Sequence, residues 1–174
     1  MSNWEKNVRK VVPYVPGEQP HEADMIKLNT NENPYPPSPK AAEAIRRVAE
    51  EDTLRLYPDP TAAELVQAIA DVYHVSTKQV FVGVGSDDVL AMAFMTYFNS
   101  DKPILFPDIT YSFYDVWAEE FRIPYEQIPL DENFCIVPEQ YFAENHPNGG
   151  IVFPNPNAPT GCLLYTSDAA DEAR

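Results

Sequence analysis

Gly83-Val-Gly-Ser-Asp-Asp88 combines the residue types that grip a phosphate. Gly83 and Gly85 can take a positive φ and let a ligand come close to the backbone. Ser86 is a good cap, so a helix is predicted to start at Ser86 or Asp87. Its free N–H groups and positive dipole end would then face an anion. The same pattern also suits an ordinary capped turn, and because short Gly-x-Gly turns are common, taken alone it favours that turn.

Two further stretches carry groups of use beside an anion. Asp108-Ile-Thr-Tyr-Ser-Phe-Tyr114 follows a predicted strand and opens a helix, with Tyr111 in the first turn, where a flat ring can cover a ligand. Phe113 and Tyr114 are assigned to packing. Asn155-Pro-Asn-Ala-Pro-Thr-Gly161 reads as a stiff loop that can hold a cis peptide. The Asn157 amide there could hydrogen-bond a phenolate or carboxylate oxygen, although taken alone the loop favours a plain stiff surface turn.

These residues need elements to hold them. Residues 1–37 are rich in proline and read as an arm, with a short strand expected at Met25-Ile-Lys-Leu28. Ser38-Pro39 caps a helix over 39–51 with an apolar stripe of Ala42, Ile45, Val48 and Ala49. Leu54–Pro60 should be extended, because proline disfavours the helical region for the residue before it. Thr61-Ala-Ala-Glu64 reads as a capping box opening helix 62–73, with Leu65, Ile69 and Val72 facing a core. Strand 79–82 leads into the glycine turn and helix 86–98, whose apolar positions are Val89, Leu90, Ala93, Phe94 and Tyr97. Strand 103–106, helix 111–121, strand 124–128, a short helix near 138–143 and strand 151–153 complete the alternation.

Short apolar strands alternating with helices imply an α/β fold with a mostly parallel sheet covered on both faces. Ligands in such sheets sit beyond the carboxyl ends of the strands, where Gly83–Asp88, Pro107–Tyr111 and Pro154–Gly161 all fall.

Composition narrows the partners. Hydrophobic residues make up 44% of 174, normal for a globular chain, and the formal charge is −15 from 27 acidic and 12 basic residues. Without a basic run, nucleic acid is excluded as an expected partner. The longest apolar run, near Val89–Phe98, is too short for a bilayer, and the start of the chain does not read as a signal peptide. A soluble, cytoplasmic protein is expected. Cys135 and Cys162 suggest neither a disulfide framework nor a metal site, and His21, His74 and His146 are scattered.

Together the segments resemble the fold type I, aspartate-aminotransferase-like enzymes that use pyridoxal 5′-phosphate, and within them the histidinol-phosphate aminotransferases. Asn29-Thr-Asn-Glu-Asn-Pro34, Tyr57-Pro-Asp59, Gly83-Val-Gly-Ser-Asp-Asp88, Thr110-Tyr111 and Asn157-Ala-Pro-Thr-Gly161 carry the likeness in one unbroken order. The resemblance implies an N-terminal arm (1–37) followed by an incomplete three-layer α/β/α cofactor domain (38–161). Gly85, Ser86 and Asp87 would hold the cofactor phosphate through backbone N–H groups, and Tyr111 would stack on the pyridine ring. Asn157 would bond the 3′ oxygen, with the qualification that many relatives place the asparagine directly before the proline, where this chain has Ala158. Tyr57 would reach the neighbouring subunit's cofactor, which implies a homodimer. Tyr14 and Asn31 would contact the substrates, an amino donor and a 2-oxo acid.

The resemblance also implies a lysine that holds the cofactor covalently and shuttles a proton. The family places it well after the asparagine-proline-threonine-glycine loop, but Lys6, Lys10, Lys27, Lys40, Lys78 and Lys102 all precede that loop, so no catalytic residue is assigned. Cys162-Leu-Leu-Tyr-Thr-Ser-Asp-Ala-Ala-Asp-Glu172 resembles the translation of a transposase-type sequencing adapter, and 162–174 is read as non-native. The expectation is an inactive N-terminal fragment of an aminotransferase, with its apolar surface incompletely covered. An aromatic or other amino-acid aminotransferase and a phosphoamino-acid decarboxylase of the same fold are the neighbouring readings. A non-catalytic α/β phosphate-binding module is the reading from another class.

Overall fold

The computed structural model describes residues 4–18, 24–142 and 147–165. His21, His146, the end of the predicted helix near 138–143 and most of the 162–174 segment lie outside them. The chain divides into two units, Met1–Tyr14 with Ser86–Arg174, and Val15–Gly85.

In the first unit the core is built around strand β1 (Ile104–Pro107), which is buried at all four positions. A strand buried on both faces needs an unbroken apolar run, and Ile-Leu-Phe-Pro supplies it. It pairs in parallel with β2 (Tyr125–Ile128), Ile104 lying opposite Tyr125 and Pro107 opposite Ile128. On its other side it pairs in parallel with β3 (Gly150–Ile151), giving the sheet order β2-β1-β3.

Side chains alternate across a strand, so β1 feeds two cores. Ile104 and Phe106 join Phe94 of α3 (Gly85–Tyr97) and Tyr114, Trp117 and Ala118 of α4 (Tyr114–Phe121). Leu105 joins Ile128, Ile136 and Tyr141, the last from α5 (Pro138–Tyr141). Helices thus cover the small parallel sheet on both faces. Gly150 is required where it stands: its φ is +152°, and a Cβ there would overlap the Phe98 ring.

The second unit holds α1 (Pro39–Glu50) and α2 (Ala63–Tyr73). Ser38 caps α1 as expected, its hydroxyl accepting from the Ala41 N–H at 3.2 Å, with Pro39 at the first helical position. The expected capping box at Thr61 is not formed. Asp59 does that work, its Oδ1 accepting from the N–H of Thr61 at 2.9 Å and its Oδ2 from the N–H of Ala63 at 2.8 Å. Ala62 enters the helix in a left-handed conformation, which carries Thr61 away from the N3 amide it would need.

These bonds, the backbone one to Thr61 foremost, hold the Asp59 carboxyl below its ordinary pKa. A carboxyl lowered by folding adds stability above its unfolded value, near 4, and loses it as pH falls through the folded value. The melting-temperature gap between the parent chain and Asp59→Asn is therefore expected to narrow as pH drops below about 4. A gap independent of pH would show that the ionised carboxylate is not the cap.

Other expectations are corrected. Met25–Leu28 is irregular, with Ile26 and Leu28 exposed. Residues 52–55 form a turn, and 57–59 belong to no helix or strand. Val80 is extended, but 79–82 forms no ladder, because among the described residues no strand lies beside it. Helix α2 buries Ala70 and half-buries Val66 and Ile69, while Leu65 and Val72 are exposed. In α3 the inward face is Leu90, Ala91 and Phe94, and Tyr97 points outward. The third strand is shorter than 151–153, although the Val152 N–H still donates to the Leu105 carbonyl at 2.9 Å. Cys135 and Cys162 are bonded as a disulfide, their Cα atoms 5.4 Å apart, which a separation of 27 residues does not reveal. Cys162 opens the segment read as adapter sequence, so the bond is given no role.

Candidate functional site

The site is built where β1 ends and α3 begins. Gly85, not Ser86, is the first residue of α3, with φ +82° and open space where a side chain would stand. An L side chain is disfavoured at that φ, so glycine makes the sharp turn into the helix. Ser86 and Asp87 therefore lie inside the first turn, where N–H groups have no intrahelical acceptor and the dipole is positive.

Tyr111 lies in the turn between β1 and α4 and precedes the helix, which starts at Tyr114 and not at 111 as expected. The Tyr114 N–H donates to the Tyr111 carbonyl at 3.2 Å. The Tyr111 hydroxyl donates to Asp87 Oδ1 at 2.6 Å, across 24 residues of sequence. Its ring meets Tyr114 edge-on, with centroids 5.7 Å apart and planes at 77°, and also contacts Phe113 and Trp117. Burial, and after it the Asp87 carboxylate, push the Tyr111 phenol above its ordinary pKa, so it is neutral and donating at neutral pH.

Asn157 is buried at 1% exposure and joins two loops. Its Nδ2 donates to the Ile109 carbonyl at 2.9 Å and to Thr160 Oγ1 at 3.2 Å, while Oδ1 accepts from the Thr110 hydroxyl at 2.8 Å. Both amide hydrogens are thus engaged inside the protein. Asn155–Pro156 and Ala158–Pro159 are both cis, in a loop whose sequence can hold a cis peptide. The arm reaches the same unit: Tyr14 stacks on Phe113 with centroids 4.3 Å apart and planes at 24°, and Arg9 donates to the Glu119 carbonyl.

Of the residues picked out in the sequence, Asp87 and Tyr111 are brought into direct contact, and Asn157 is tied to the two residues before Tyr111. Tyr14 meets Phe113, which had been assigned to packing alone. Tyr57, fully exposed, and Asn31, left-handed at φ +52°, belong to the Val15–Gly85 unit. The Asp87 side chain, Thr110 and Trp117 were not foreseen as parts of this cluster. Trp117 was open to recognition, because residues three and four apart on a helix share a face and Phe113 and Tyr114 are so spaced from it.

A family model described as aminotransferase class I and II matches residues 23–170. The chain belongs to the class I and II aminotransferases. It is 58% identical over 161 residues to a histidinol-phosphate aminotransferase of Pseudomonas putida, covering 92% of this chain and 45% of that one. It is 54% identical over 170 residues to the corresponding enzyme of Acinetobacter baumannii, covering 97% and 46%. Among solved structures, a protein of Erwinia carotovora atroseptica provisionally named a histidinol-phosphate aminotransferase superposes with a TM-score of 0.70 at 22% identity, over 78% of this chain and 40% of that one. That likeness bears on the fold, and the parallel sheet with its helices matches part of an aminotransferase α/β domain. This class I and II aminotransferase chain spans a little under half the length of the curated relatives it matches.

Proposed function

We propose that this chain is the N-terminal part of a pyridoxal-phosphate-dependent aminotransferase acting on histidinol phosphate and 2-oxoglutarate. In this reading 1–37 is the arm, 38–161 the incomplete cofactor domain and 162–174 a non-native extension, and the complete protein is a cytoplasmic homodimer. No helix among the described residues is long and apolar enough to cross a membrane. The names of the relatives motivate the substrate assignment.

The observation that carries the cofactor is the glycine turn into α3 with a flat ring fastened beside it. A phosphate suits the first-turn N–H groups of Ser86 and Asp87, and Tyr111 offers a ring face to a planar heterocycle. When bound, the cofactor supplies an electron sink for the carbon that bears the amino group. The chain's own share is to bind and orient. Gly85 clears the approach, the backbone N–H groups of Ser86 and Asp87 donate to the phosphate, Tyr111 covers the ring, and Asn157 holds the Tyr111 loop in place. For Asn157 also to reach the 3′ oxygen, its amide must give up Ile109 or Thr160. Tyr14 and Asn31 are proposed to contact substrate, and Tyr57 the cofactor of the neighbouring subunit.

Equilibrium binding to the 174-residue chain tests this reading. The expected result is weak binding of pyridoxal phosphate that inorganic phosphate competes away, with no transamination. No binding, or binding indifferent to phosphate, overturns the cofactor assignment. For substrate choice, a polypeptide of the relatives' full length carrying this chain should turn over histidinol phosphate in preference to phenylalanine, and the reverse preference overturns it.

A further inference from the structure

We propose that the Asp87 side chain is a positioning residue for Tyr111, setting the tilt and height of its ring beside the start of α3. The proposal rests on the cofactor reading and adds a role for the carboxylate to the backbone role of the same residue.

Tyr111 stands in a turn, outside any helix or strand, so its backbone ladder does not orient it. On one side its ring is walled by Phe113, Tyr114 and Trp117, contacts that permit sliding because apolar faces have little directionality. Among the described residues, the hydrogen bond that ties the ring is the hydroxyl's bond to Asp87 Oδ1. A bond from a hydroxyl to a carboxylate is short and among the stronger kinds, and it fixes the far end of a side chain whose near end is already held. The near end is held by Asn157, which grips Thr110 and the Ile109 carbonyl.

The arrangement also has a cost. A carboxylate in the first turn of α3 places negative charge next to the N–H groups offered to a phosphate. Like charges at short range disfavour one another, so Asp87 weakens the phosphate site while it strengthens the ring platform. The two ligand parts, phosphate and ring, should therefore respond differently to loss of this carboxylate. The groups facing the Tyr111 hydroxyl are Asp87 from α3, Tyr14 from the arm and Tyr114 from α4.

The test uses the 174-residue chain with Asp87→Ala, Asp87→Asn and Tyr111→Phe variants, and inorganic phosphate and pyridoxal phosphate as probes. Near-ultraviolet titration without any cofactor follows the phenol that Tyr111→Phe removes. In Asp87→Ala this phenol is expected to ionise about tenfold more readily. Pyridoxal phosphate affinity should fall about tenfold, while inorganic phosphate affinity is kept or raised, which also reports an intact helix start. Asp87→Asn, a neutral acceptor of the same shape, should recover most of the pyridoxal phosphate affinity. An unmoved phenol titration, or equal losses for both ligands, overturns the proposal. If the parent chain binds no pyridoxal phosphate but its phenol responds to Asp87→Ala, the cofactor reading falls and Asp87 stands as the group that holds Tyr111.

Discussion

Phe94→Ala is expected to destabilise the unit containing the sheet by about 3–5 kcal/mol, read from chemical denaturation. Phe94 is fully buried and is where α3 meets the rest of the core. Its ring lies 5.4 Å from that of Trp117, 5.9 Å from Tyr114 and 5.5 Å from Phe98, so truncation removes several aromatic contacts at once and leaves a cavity. Collapse around that cavity is limited on the sheet side, because Ile104 is fixed by parallel pairing on both edges of β1 and Phe106 by pairing with β2. The effect passes to the site as well. With its main anchor gone, α3 holds its first turn less firmly against Tyr111, and the change should show as weaker ligand binding in the fraction that stays folded. Phe142→Ala is the matched control: that ring is largely exposed, and its loss should change stability by no more than about 0.5 kcal/mol. Similar costs for the two variants would mean that the aromatic core around Phe94 does not form in solution.

How much of this was legible in the sequence depends on how far each signal reached along the chain. The Ser38-Pro39 start of α1 is a local device, complete within four residues, and it is found as read. β1 was legible because a strand buried on both faces must be an apolar run with turn residues at its ends, whereas β2, Tyr-Glu-Gln-Ile with two exposed positions, was legible from its place in the alternation of strands and helices. Helix phase was less secure. A shift of one position rotates a helical face by 100°, and that is enough to exchange Leu65 for Val66 and to bring Ala70 in beside Ile69 in α2. The cap on α2 was misassigned because Thr61 and Asp59 both carry suitable oxygens, and the left-handed Ala62 that decides between them leaves no mark in the sequence. Residues 79–82 have the composition of a strand, but a ladder also needs a neighbour, which lies outside any local window. The site divides in the same way. Glycine at 85 and the ring at 111 were readable as types, whereas the bond between Tyr111 and Asp87 and the clamp by Asn157 join segments 24 and 47 or 48 residues apart.

Asn157→Ala is expected to cost about 2–3 kcal/mol and to loosen the Tyr111 loop, because a buried amide is lost and with it the donor to the Ile109 carbonyl and the acceptor of the Thr110 hydroxyl, while the Thr160 hydroxyl keeps the Cys162 N–H. Asn157→Asp should be worse at neutral pH, since a carboxylate can accept from Thr110 but has no hydrogen for Ile109 or Thr160, and it buries a charge. Its sign with pH is opposite to that of Asp59. A buried carboxyl has its folded pKa raised, so the folded state favours the proton, and the destabilisation eases as pH falls toward the ordinary carboxyl value near 4. Protonated, the side chain regains one donor and becomes close to the parent amide in shape. Denaturation midpoints at neutral and mildly acid pH, each taken relative to the parent chain, check this, and a deficit that grows on acidification would contradict the burial. Thr110→Val completes a double-mutant cycle with Asn157→Ala. A coupling of about 1 kcal/mol is expected from the direct bond. Independent effects would mean that the two loops are held together by packing alone, and the ring of Tyr111 would then owe its place to Asp87 without help from Asn157.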